Sequence, residues 1–539
     1  MSDATTADSA LSASNSRLQL EKKNGPFAAL LFLVLLVAGL AFTTFSLVND
    51  IDTASTPQSS WLPYGLLGLA MLIALGFEFV NGFHDTANAV ATVIYTNTLP
   101  ATFAVVWSGF FNFLGVLLSS GAVAFGIISL LPVELILHVG SNAGFAMVFA
   151  LLLASIIWNL GTWALGLPAS SSHTLIGSII GVGIANQLMA AGNTHTSGVD
   201  WGQALNVGKS LLLSPIIGFI CAALLLVVLK ALVKVPALYK EPKPGKAPPW
   251  WIRGLLVLTC TGVSFAHGSN DGQKGMGLIM LILIGILPTT YALNRAMPEK
   301  DVLTFQAVSQ QASHTLARYA TGNAPADFRA EVEKYVQSHQ LQPQTMAAVT
   351  TLSDTVSEQI GHYDNLQQVP HAVIQNVRND MYLNSEALRI LLKDEHSGLN
   401  DTDKAVLGNY RKSLDGATKF IPNWVKIAVA IALGLGTLVG WKRIVVTVGE
   451  KIGKTHLTYA QGASAELVAM ATIGAADAYG LPVSTTHVLS SGIAGTMAAN
   501  KSGLQMSTVR NLVMAWVLTL PAAMLLSGTL YWVFSQFTH

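Results

Sequence analysis

Charge is scarce in this chain. Only 11% of its 539 residues are Asp, Glu, Lys or Arg, against about a quarter in soluble domains. The 30 basic and 29 acidic residues leave a net charge of +1, so no basic surface stands ready for nucleic acid. Cysteine is nearly missing as well: Cys221 and Cys260 each lie inside an apolar run, which argues against a disulfide framework and a thiolate metal site. No nucleotide-binding loop and no G-x-S-x-G elbow occurs. Ser172 beside His173 makes no nucleophile–base pair, because neighbours in sequence do not face each other on a helix. The chain is therefore not read as an enzyme, and no cofactor is expected.

Apolar length is what the chain has instead. It is 51% hydrophobic, and several runs exceed the roughly 20 residues needed to cross about 30 Å of hydrocarbon. The expectation is an all-α polytopic membrane protein. Residues 1–26 form a polar tail, and the run 27–48 is too long for a signal-peptide core, so it is read as a retained extra transmembrane helix. Ten further apolar elements follow in two groups: 62–96, 101–131, 143–165, 168–190 and 208–235, then 252–291, 424–440, 458–479, 482–499 and 508–534. Each group has one overlong element, one plain helix, a pair joined at a tip, and a closing helix. The first repeat is thus 62–235, and the second is 252–291 with 424–534.

The overlong elements carry polar stretches, Asn81-Gly82-Phe83-His84-Asp85 and His267-Gly268-Ser269-Asn270-Asp271. At about 1.5 Å per residue, 35 helical residues reach about 50 Å, so each is expected to be a broken helix. The tips read G-L-P-A-S-S-S-H from Gly166 and G-L-P-V-S-T-T-H from Gly480, and are expected to be re-entrant helical hairpins. The polar stretches are offset by 186 residues and the tips by 314, so 128 residues are inserted in the second half. Residues 292–423 match, and 27 of the 59 charged residues fall within 292–421, which predicts a small soluble helical insertion.

Lys and Arg in short loops orient the chain. The linker 236–251 and the loop 441–457 are basic, whereas 49–61, 132–142 and 191–207 have neither Lys nor Arg. Counting crossings from a cytoplasmic N-terminus places the insertion and the C-terminus outside and runs the second group opposite to the first. That is the inverted-repeat plan of a secondary transporter, with its substrate near the midplane.

A proline-stopped tip followed by hydroxyls puts helix N–H groups and O–H donors together, a site for an anion. Ser170, Ser171, Ser172, Ser484, Thr485 and Thr486 are the candidate substrate-binding residues; the plainer alternative is that they cap helices. Glu78, His84, Asp85, His267, Asp271 and Lys274 lie within apolar segments, where a charge costs at least about 2.5–3.5 kcal/mol and marks function or an internal pair. Asp85 and Asp271, with the amides Asn88 and Asn270, offer oxygens to a monovalent cation or a proton, and His84 and Glu78 join that list. His267 is read as packing. Asp271 and Lys274 stand three apart and could pair with each other.

G-F-H-D-T-A-N-A at 82–89 and G-S-N-D-G-Q-K-G at 268–275 resemble the duplicated signature of the inorganic phosphate transporter (PiT) family, and both tips resemble its hairpins. The wording I-I-W-N-L-G-T-W at 156–163 and F-N-F-L-G-V at 111–116 is similar to its bacterial PitA-type branch. The resemblance implies phosphate import by symport at the inner (plasma) membrane, often as a homodimer, with the tip hydroxyls on phosphate and Asp85, Asn88, Asn270 and Asp271 holding the coupling ion or orienting phosphate. It also implies that a divalent metal travels with phosphate. His84 and Lys274 replace amides of the usual signature, so proton coupling is expected, with Lys274 as a built-in cation at the substrate. Sodium coupling, sulfate as substrate, and a non-accumulating channel or sensor are the alternatives.

Overall fold

The computed structural model describes residues 25–53, 61–131, 136, 141–189, 198–243 and 246–537, with the side chains of 86–88 outside the description. Every element in it is helical; a single bridge, Gly453 with Leu504, is the one extended pairing among the described residues. The first half holds α1 (Pro26–Thr53), α2 (Leu62–Tyr95), α3 (Ala101–Leu118), α4 (Ala122–Ile128), α5 (Asn142–Ala164), α6 (Ser171–Met189) and α7 (Trp201–Leu232). Then come α8 (Trp250–Ile286), α9 (Pro288–Tyr291), α10 (Glu299–Ala317), α11 (Phe328–Ser338), α12 (Thr345–Gly361), α13 (Ile374–Leu391) and α14 (Asp401–Thr418). The chain ends with α15 (Asn423–Thr437), α16 (Lys442–Glu450), α17 (Tyr459–Ala478), α18 (Thr485–Ala499) and α19 (Met506–Ser535). Six helices, α1, α2, α3, α5, α7 and α19, are each long and apolar enough to cross a membrane among the described residues.

The helices exchange partners between halves. Helix α2 packs on α15 while α8 packs on α3; α6 packs on α19 while α18 packs on α7. Glycines make these approaches possible. A Cβ on Gly82 would meet the carbonyl oxygen of Leu433 in α15, and one on Gly268 would meet that of Asn112 in α3. Farther along, Gly181 abuts the Met524 carbonyl and Gly495 that of Phe219. The two motif glycines are thus packing residues that let backbones touch, the device of small residues at membrane helix interfaces.

Two expectations need correction. Helices α2 and α8 run unbroken through 81–85 and 267–271 as single helices of 34 and 37 residues. His84, Asp85, His267, Ser269 and Asn270 find partners on other elements, so the backbone has no need to unwind there; excess length is accommodated by tilt or by ends beyond the hydrocarbon. The element at 101–131 is two helices, α3 and α4, separated at Gly121, whose φ of +88° no β-carbon-bearing residue adopts easily. Residues 292–418 carry their own buried cluster, with Phe305, Leu352, Leu388 and Tyr410 among its members, apart from the two clusters of the apolar helices.

Candidate substrate and ion site

Both hairpin tips turn on a left-handed glycine, Gly166 at φ +69° and Gly480 at φ +66°, followed by the proline that cannot continue a helix. Two residues after each proline the new helix is capped alike on each side. Ser170 Oγ accepts the His173 N–H at 3.1 Å, and Ser484 Oγ accepts the His487 N–H at 3.1 Å. These two hydroxyls are N-caps, the plainer of the two sequence readings. Of the next hydroxyls, those of Ser171 and Thr486 face inward, because one or two residues into a helix the side chain has rotated toward the neighbouring tip.

They converge on Asp85. Ser171 Oγ donates to Asp85 Oδ2 at 2.5 Å, and Thr486 Oγ1 donates to Asp85 Oδ1 at 2.7 Å, so one carboxylate bonds both tips. Ser171 also lies 3.5 Å from Asp271 Oδ2. Ser172 crosses to the other tip, donating to the Val483 carbonyl at 2.7 Å, and receives the Lys274 ammonium at 2.5 Å. Lys274 in turn stands 2.6 Å from Asp271 Oδ1, so the pair anticipated at three-residue spacing forms, fully buried. His84 is held between Asp85 (3.0 Å) and Thr162 on α5 (3.2 Å).

Other anticipated residues lie elsewhere. Asn270 uses its amide on the second tip's backbone, donating to Leu481 O at 3.1 Å and accepting from Val483 N at 3.4 Å, which makes it a clamp on that tip. Thr485 is buried, and its hydroxyl has no hydrogen-bond partner among the described residues. Glu78 is buried against the Gly275 backbone, one residue past Lys274, with neither oxygen hydrogen-bonded among the described residues. The Asn88 side chain lies outside the described residues.

Sequence reasoning missed several partners. His267, read as packing, lies 3.5 Å from Asp271 Oδ2 and 2.9 Å from Asn112 Oδ1. One oxygen each of Asp85 and Asp271 and a ring nitrogen of His267 fall within 4.8 Å of one another, a cluster that could hold a cation. Asp477 anchors the second tip through Ser269 (2.7 Å) and Gln273 (2.5 Å), and Glu466 is buried with Thr259 as donor at 2.5 Å. The available signal was a polar side chain inside an apolar run, the same signal that singled out Asp85.

A family model described as the phosphate transporter family matches residues 81–527. The chain belongs to the phosphate transporter family. It is 44% identical to the low-affinity inorganic phosphate transporter PitA of Escherichia coli strain K12 over 88% of this chain and 97% of that one. It is 41% identical to PitB of the same strain, over 87% and 97%. A solved structure named the sodium-dependent phosphate transporter aligns with a TM-score of 0.47 and 18% identity, over 88% of this chain and 99% of that one. This phosphate transporter family member is a multi-pass membrane protein and not an enzyme.

Proposed function

We propose that this chain imports inorganic phosphate by secondary active symport, with protons as the coupling ion and the two hairpin tips as its jaws. The carrying observation is that Asp85 accepts the inward hydroxyls of both tips. A carboxylate there holds the donors that an oxyanion would use. Protonating Asp85 releases Ser171 and Thr486 to phosphate and supplies an O–H donor to it, so proton and phosphate bind together, which is the logic of symport. Hydrogen phosphate can also donate to a carboxylate, which sulfate cannot do near neutral pH.

Lys274 favours a proton over sodium. Its ammonium sits 2.6 Å from Asp271 and 2.5 Å from Ser172 Oγ, so a fixed cation already occupies the carboxylate's neighbourhood. It would also balance part of the charge of an incoming phosphate. The exchanged helix pairing and the basic loops support an inverted repeat, with both hairpins re-entrant from opposite sides and the inserted domain extracytoplasmic. The test is labelled phosphate uptake into vesicles under an imposed pH gradient or an imposed sodium gradient. Accumulation should follow the pH gradient without sodium and vanish with a protonophore; uptake that needs sodium at constant pH would refute proton coupling.

A further inference from the structure

The inserted domain meets the apolar helices along one face of α13. Arg378, Tyr382, Glu386 and Arg389 follow at spacings of four, four and three residues, which places them in one stripe of a helix. Tyr382 shares a buried cluster with Leu131, Tyr291, Val425 and Tyr531 of the apolar helices and their connections. Two cations at this seam have acidic partners. Arg389 lies 2.7 Å from Asp200 and 2.6 Å from Glu386, and Lys419 lies 3.2 Å from Glu386 and 2.8 Å from Asp415.

Arg378 has none among the described residues. It is 4% exposed; its Nη1 donates to the Asn379 amide oxygen at 3.2 Å, its guanidinium stands 4.8 Å from the Tyr382 ring, and its Nε has no acceptor among the described residues. Burial pulls its pKa down to about 10, which leaves it charged at neutral pH. A desolvated guanidinium without a counter-charge is strongly disfavoured, and its planar fork fits two oxygens of a phosphate group.

We propose that Arg378 binds a phosphate group at the seam between the inserted domain and the apolar helices, a second anion site separate from the hairpin tips. The group belongs either to free inorganic phosphate or to the headgroup of an anionic phospholipid. The lipid source rests on the reading that the inserted domain lies against the outer membrane-water boundary; the phosphate source does not.

The test uses the full-length protein, delipidated in detergent, with Arg378→Gln and, separately, Ser171→Ala with Asp85→Asn. One arm measures the stoichiometry of labelled inorganic phosphate. The other measures retention of phosphatidylglycerol against phosphatidylcholine by native mass spectrometry. Arg378→Gln should lose one equivalent of phosphate, or its preference for phosphatidylglycerol, while pH-driven uptake at saturating phosphate persists. Should it fail to fold, Arg378→Lys keeps the charge without the fork and should weaken the same arm at least tenfold. Unchanged phosphate stoichiometry and unchanged lipid preference in the Arg378 variant would overturn the proposal. The tip variants report only on the transport site, so failure of that reading is seen independently.

Discussion

Removing the Ser171 hydroxyl tests whether Asp85 ties the two tips together. Ser171 and Asp85 are both nearly inaccessible, so water cannot replace the lost donor, and the bond is 2.5 Å long. A hydrogen bond to a charged group contributes about 1.5–3 kcal/mol, which corresponds to a factor of about 10 to 150 in an equilibrium constant. Ser171→Ala should therefore lower the unfolding free energy of the purified protein in phosphate-free detergent by about that amount. Thr486→Val, which removes the 2.7 Å bond from the other tip, should do the same. In an Asp85→Asn background the acceptor is neutral, and the Ser171 loss should shrink to about 0.5–1.5 kcal/mol. The four proteins form a double-mutant cycle with an interaction energy of about 1 kcal/mol or more. Equal losses in the two backgrounds would refute the claim that Ser171 acts through Asp85. Initial phosphate uptake at sub-saturating concentration should fall at least tenfold in Ser171→Ala.

Lys274→Met should sharply reduce the yield of monodisperse protein, because stranding a buried carboxylate costs about 3–5 kcal/mol; adding Asp271→Asn should restore the yield without restoring uptake. Equal yields of single and double variants on size-exclusion chromatography would contradict the pairing. The seam of the inserted domain should loosen in acid. Burial pushes Asp200 up, but the His339 bond and the Arg389 charge outweigh it and hold the carboxyl near about 2; Glu386, also opposed by burial, is held near about 2 by Lys419 and Arg389. Carboxyls depressed by folding stabilise above their unfolded pKa of about 4, and that stabilisation is lost as pH falls from about 4 toward 2. Hydrogen exchange over residues 374–419 should rise across that window, and Arg389→Gln should flatten the rise; protection indifferent to pH would count against it.

Much of the helical plan is legible in the sequence, since a run of apolar residues in a chain this poor in charge has few destinations other than a helix in lipid. Proline after a Gly-Leu step announces where α6 and α18 begin, because that ring stops one helix and suits the start of another. Gly82 and Gly268 stand inside the quoted signatures, but their packing role is not legible in the sequence, since the carbonyls of Leu433 and Asn112 that they touch lie far away in the chain. A polar stretch inside an overlong run suggested a break, whereas tertiary partners let α2 and α8 continue. Ser170, Ser171 and Ser172 are indistinguishable as letters. Only the fold decided that Ser170 caps its helix, Ser171 reaches Asp85 and Ser172 receives Lys274, because each step along a helix turns the side chain by about 100° toward a different neighbour. By itself the sequence determined which residues must leave water and which of those carry charge. Which charges meet was decided by the exchange of helices between the halves, which brings Asp85 to a tip 401 residues away.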